Sequence, residues 1–153
     1  MLVQPEELIT ELYPEIVAEI TRSNNDEVVL QLKSAEDFIK GYLFKYDLKA
    51  LFGTATDAPT IVDESLKKCV KIVASYWLVR KANPNVNLDQ FKNDWEFMIG
   101  TKESPGWLID VKNGDINPEW PYKPDDLLTP DIDESEIENP VFWGSNIKRV
   151  NSF

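Results

Sequence analysis

Between Val28 and Tyr46 the apolar residues Val28, Leu32, Ala35, Ile39, Tyr42 and Tyr46 follow one another at intervals of 4, 3, 4, 3 and 4. That spacing puts all six on one face of an α-helix, and Phe38 and Leu43 widen the stripe. Lys33, Glu36, Asp37 and Lys40 occupy the other side, with Glu36 and Lys40 placed as a favourable i,i+4 pair. The spacing predicts a helix over about 26–46 whose apolar face is a core seam. The repeat is too short to point to a free coiled coil.

The flanking segments extend the helical pattern. Pro5 and Pro14 each suit a first helical position and are each followed by glutamate, which complements the positive end of a helix. Residues 5–22 therefore read as two short helices, and the polar run Ser23–Asp26 as a turn with N-cap candidates for the next one. A helical turn is expected near Leu48–Phe52, stopped at Gly53. Thr60 and Asp63 form an imperfect capping box for a second long helix, over 62–82. Leu66, Cys69, Val70, Val73, Ala74, Trp77 and Leu78 give it an apolar face broad enough to be covered on more than one side. Asn83-Pro84 ends it. Asn87 and Gln90 cap a shorter helix with Leu88, Phe91, Trp95 and Ile99 at helical spacing, ended by Gly100. Trp77 and Trp95 are read as core residues.

Beyond residue 101 the pattern changes. Asn113-Gly114, between Lys112 and Asp115, is a strong hairpin signal, and Ile109, Val111 and Ile116 would flank a short ribbon that must lean on the rest of the chain. From residue 117 onward Pro118, Pro121, Pro124, Pro130 and Pro140 break up any helical period, while Trp120, Tyr122, Phe142, Trp143 and Phe153 supply an aromatic content unusual for a free tail. The expected architecture is mainly α. It comprises a compact helical domain of four to five helices (1–108), then a short β-hairpin and a long irregular C-terminal arm (109–153).

Charge and residue choice narrow the function. A net charge of −11 disfavours a surface that neutralises nucleic-acid phosphates or docks on anionic lipid. The acidic N-terminus lacks the basic region and apolar core of a signal peptide, and no stretch has the length of a membrane span. With no histidine, imidazole acid–base chemistry and the usual zinc and non-haem iron ligand sets are excluded, and one cysteine forms no internal disulfide. Cys69 lies within an apolar stripe and reads as a small buried hydrophobe. The acidic run 131–138 lacks a calcium loop's glycine at its sixth position, where Glu136 stands, and its closing glutamate, where Phe142 stands. "GTATDAPT" lacks the Gly-Lys-Ser/Thr ending of a phosphate loop, and Lys67-Lys68 reads as a helix surface feature. No enzymatic activity, cofactor or metal is expected. Trp107, Trp120, Tyr122, Phe142, Trp143 and Phe153 lie outside the expected helices and are the candidate partner-interface residues, since tryptophan and tyrosine suit surfaces that are half wet and half dry; the alternative is that the arm folds back over its own domain.

Three stretches, "LKSAEDFIKGYLFKYDL", "ESLKKCVKIVASYWLVRKANP" and "FKNDWEFMIGTKESPGWL", together resemble the small helical head-to-tail connector (adaptor) proteins of tailed bacteriophages over roughly residues 26–108. Tyr42-Leu43 and Tyr46-Asp47-Leu48 fit the family's first helix and turn. Ala74, Tyr76 and Leu78 fit the end of its second helix, and Trp95 with Gly100 its third. Lys49 stands where the family has a proline, and the arm is longer than in its short members. The resemblance implies a structural virion protein, assembled in the host cytoplasm into a homo-oligomeric ring below the portal protein. Its partners would be the portal, neighbouring copies and tail or further neck proteins, with DNA only passing through and no membrane involved. An acidic passage that does not grip DNA is consistent with the charge. The arm is then expected to become ordered across neighbours, pinned at Trp120 and Phe142-Trp143, so that deleting 118–153 leaves the helical domain folded. An alternative is an acidic DNA mimic that binds a nuclease or regulator.

Overall fold

The computed structural model describes residues 1–82, 88–101 and 103–124, and these are mainly helical with no strand among them. After a 3-10 helix at Pro5–Thr10 come α1 (Pro14–Thr21), α2 (Asn25–Lys40), α3 (Leu48–Phe52), α4 (Glu64–Ala82), α5 (Asp89–Ile99) and α6 (Trp107–Asn113). Pro5 and Pro14 both open helices, as their preset φ favours. Asn24 caps α2 by accepting the Asp26 N–H at 3.1 Å.

Helix α4 is the centre of the fold, packed by α1, α2, α5 and the 3-10 helix. Leu66, Cys69, Val70, Val73, Ala74 and Leu78 are buried, as are Ile72 and Val79 on a further side. That broad burial is the reason its sequence pattern is wide rather than a narrow stripe. Leu32, Ala35 and Ile39 of α2 meet this surface, and Leu2, Val3 and Leu8 close the core from the N-terminus. Phe38 of α2, Tyr76 and Trp77 of α4 and Trp95 of α5 form an aromatic cluster. Phe38 meets Trp77 edge-on at 5.6 Å, and Tyr76 lies 5.1 Å from Trp95. Trp77 and Trp95, expected to be core, are half-buried in this cluster.

Four expectations about local structure are corrected. Helix α2 ends at Lys40 rather than near 46. Gly41 follows it, and Leu43 and Tyr46 reach the core from the turn beyond. Glu36 does not pair with Lys40. It is buried at 4% exposure and accepts the Leu2 N–H at 2.6 Å, while Lys40 pairs with Asp37 at 2.9 Å. Thr60 does not cap α4, which begins only at Glu64: its hydroxyl donates instead to the Ala50 carbonyl at 3.4 Å, as does its N–H at 3.0 Å. Asp63 takes the capping role, accepting the Leu66 N–H at 2.8 Å.

The hairpin is the fourth. Residues 107–113 are helix α6, and Gly114 ends it in the left-handed region at φ 91°. Its N–H reaches the Asp110 carbonyl at 2.9 Å, as does that of Asp115. An Asn-Gly pair serves a helix C-terminus as readily as a hairpin, since both need a positive φ. Packing on α5 decides between them, burying Leu108 and Val111, three residues apart on one helical face.

The compact unit runs Met1–Lys123. The expected division after residue 108 therefore falls too early, because α6 and Trp120 belong to the helical body. The acidic run 131–138 and the interface candidates Phe142, Trp143 and Phe153 lie outside the described residues, as does the capping candidate Asn87.

Candidate interaction site

Two features of the unit bear on what it meets. The first is the base of the C-terminal arm. After α6 the chain returns to the turn that follows α2 and pairs with it over a few residues. Asp47 N–H donates to the Pro121 carbonyl at 2.9 Å, and Lys123 N–H to the Lys45 carbonyl at 2.9 Å. Trp120, just before this pairing, is 5% exposed, with its ring edge-on to Tyr46 at 5.3 Å and to Trp107 at 6.1 Å.

Its indole N–H donates to Asp63 Oδ2 at 3.1 Å, the second oxygen of the carboxylate that caps α4. One aspartate thus starts the central helix and holds the arm's base. Burial, reinforced by the neighbouring Tyr122 phenol, holds the Tyr46 hydroxyl above its ordinary pKa.

The expected interface residues therefore separate. Trp120 is a core residue of its own unit and is not free to meet a neighbour, because the N–H and ring that suit it to an interface are already used. Trp107 is half-buried beside it. Tyr122 stacks on Tyr46 at 5.4 Å yet stays 61% exposed, and Phe44 close by in sequence is also exposed.

The second feature is the corner between the 3-10 helix and α1, which the sequence reading missed. A cleft of about 380 Å³ runs beside it, lined by Leu8, Ile9, Leu12, Val17, Ala18 and Val28 among others, with Glu6 at its wall. Ile9, Tyr13 and Ile16 stand exposed around the corner. A smaller cleft of about 260 Å³ lies on the other side of Leu12, lined by Glu11, Tyr13, Ile16, Ser75, Phe91 and Asp94. Ser75 is 1% exposed and its hydroxyl has no hydrogen-bond partner. The available sequence signal was Ile9, Tyr13 and Ile16 set among Glu6, Glu11, Glu15 and Glu19, apolar residues that do not fall on the buried stripe.

Two lysines of α4 hold this corner from beneath. Lys67, read from sequence as a surface feature, donates to Glu7 Oε1 at 2.7 Å, and Lys71, 8% exposed, donates to Thr10 Oγ1 at 2.9 Å. Burial opposes charge on Glu7. The Lys67 hydrogen bond, the Gln4 N–H and the charges of Lys67 and Lys71 outweigh it and hold the carboxyl below its usual value. A carboxyl depressed in the folded state stabilises above its unfolded pKa and loses that contribution as pH falls through the folded one. The gap in urea midpoint between the protein and Glu7→Gln is thus expected at pH 7, closing through the acid range below the ordinary carboxylate pKa. A gap that persists unchanged into strong acid would contradict the pairing.

Cys69 is fully buried, and burial pushes its thiol up to about 12. It is expected to resist thiol reagents in the native state and to react only on unfolding, which timed labelling against urea would check. Among the described residues no group of three or more acidic or cysteine side chains is placed to hold a metal ion, and no helix is long and apolar enough to cross a membrane. No protein family, curated protein or solved structure matches the chain.

Proposed function

We propose that this chain is an assembly subunit of a tailed-phage neck, a connector that forms a ring below the portal and joins the capsid vertex to the tail. The observation that carries this reading is the fastened base of the arm. Trp120 and the short pairing of residues 121–123 with 45–47 start residues 124–153 from a fixed point on a helical body. An arm with Phe142, Trp143 and Phe153 and a fixed origin suits a subunit that reaches its neighbours. The sequence resemblance supplies the particular assembly. The body's role is then to position surfaces, with DNA passing through the ring and no chemistry performed.

Imaging of intact particles labelled on this chain tests the reading, with native mass spectrometry of the purified protein alongside. Label at the neck supports the connector. A chain absent from particles, or scattered over the capsid, rejects it. Recovery instead on a host nuclease that releases it to competing DNA would favour the DNA-mimic alternative.

A further inference from the structure

The arm is electrically divided. Residues 124–139 carry seven acidic side chains and no basic one, whereas residues 140–153 carry Lys148 and Arg149 and no acidic one. The N-terminal corner is the reverse: residues 1–21 hold five glutamates and neither lysine nor arginine, and of the two lysines beneath them Lys67 is already paired with Glu7 while Lys71 is held at Thr10.

We propose that this corner is the docking site for residues 141–153 of a neighbouring copy. The Phe142-Trp143 pair enters the apolar cleft beside Leu8 and Ala18, and Lys148 and Arg149 reach the smaller cleft at Glu11 and Asp94. Three observations favour that occupant. The first is chemical match: an aromatic pair followed by two cations meets an apolar cleft followed by a carboxylate-lined one, with Leu12 common to both. Opposite charges steer such an encounter, and the acidic half of the same arm is repelled from the corner, which sets the direction of docking.

The second is the Ser75 hydroxyl, buried in the wall of the smaller cleft without a partner. Buried polar atoms are ordinarily satisfied, and a lysine or arginine head brings donors for one. The third is reach. The eighteen residues from Pro124 to Val141 span at most about 60 Å when extended, enough to cross from one small domain to the next. Choosing a neighbour's corner over the chain's own rests on the ring reading, in which each copy gives one arm and receives one.

The test uses full-length chains, each carrying a single new cysteine. Ala18→Cys lies exposed at the apolar cleft, and Ser145→Cys sits two residues after Trp143. Cys69 is buried and stays silent. Mixed under mild oxidation, the two chains are expected to give a disulfide heterodimer, with Glu103→Cys in place of Ala18→Cys as the negative control. Adding Lys148→Glu and Arg149→Glu to the Ser145→Cys chain is expected to lower the yield at least tenfold, and 0.5 M salt to lower it less.

No heterodimer, or equal yield with the control, overturns the docking. A chain carrying both cysteines that closes only on itself overturns the exchange between copies. A failed cross-link in a protein that still forms rings at the neck rejects this site and leaves the connector reading intact. A specific cross-link in a protein absent from particles does the opposite.

Discussion

Ending the chain after Lys123 is expected to leave the thermal and urea transitions of the helical unit nearly unchanged, whereas ending it after Asn117 should destabilise it severely. The second cut removes Trp120, which is buried against Tyr46 and Trp107 and hydrogen-bonded to Asp63. Truncating a buried tryptophan costs about 3–5 kcal/mol. Losing the pairing at Pro121 and Lys123 adds to that. In the full-length protein Trp120→Ala should reproduce most of the loss. Asp63→Ala should lose about 1 kcal/mol of helix capping, and a further 1–3 kcal/mol where the indole N–H is left buried without an acceptor. Equal stability of the two truncated proteins would show that the base of the arm is not part of the core. An arm deletion meant to test assembly therefore belongs at 124, since a cut at 118 confounds lost docking with lost folding.

The second large effect is expected at Gly106. A Cβ there would lie 2.3 Å from the Gly100 nitrogen and 2.6 Å from the Ile99 carbonyl carbon, all backbone atoms that no rotamer change can move. Gly100 itself has φ 97° and closes against the same loop, with Thr101 N–H donating to the Ser104 carbonyl at 2.7 Å. The two glycines let the end of α5 and the start of α6 touch main chain to main chain. Gly106→Ala must separate them and unseat Leu108 and Val111. The cost is expected to be about 3 kcal/mol, at the upper end of ordinary overpacking, read as a fall in urea midpoint at unchanged slope. Gly114→Ala meets no neighbouring atom and incurs only the positive-φ penalty, on the order of 1 kcal/mol. If the two alanine variants are equally stable, the close approach at Gly106 carries no energetic weight.

The helical class and most element positions are written in local pattern. The 4-3-4-3 spacing in α2, the wide stripe of α4, the prolines at 5 and 14 and the stops at Gly53 and Gly100 are local signals. Each acts within one or two helical turns, so each is legible without knowing the fold. The features that local pattern does not carry involve pairs distant in the chain. Glu36 looks like a surface partner for Lys40 until the N-terminus covers it and supplies the Leu2 N–H, 34 residues away. Lys67 looks solvated until Glu7 meets it across 60 residues. Asn113-Gly114 fits two structures, and only contact with α5 selects the helix.

The candidate site divides along the same line. The aromatics near the C-terminus were visible as a group, but their sequence did not say that Trp120 is used inside its own domain, 57 residues from the aspartate that holds it. The clefts at the N-terminal corner were invisible because a concavity belongs to no single segment. The larger arises where the 3-10 helix and α1 meet α2, and the smaller where they meet α4 and α5, at angles that packing fixes. Local periodicity encodes which face of a segment is apolar. Only the assembled fold decides which part of that face is covered and which part is left for something else.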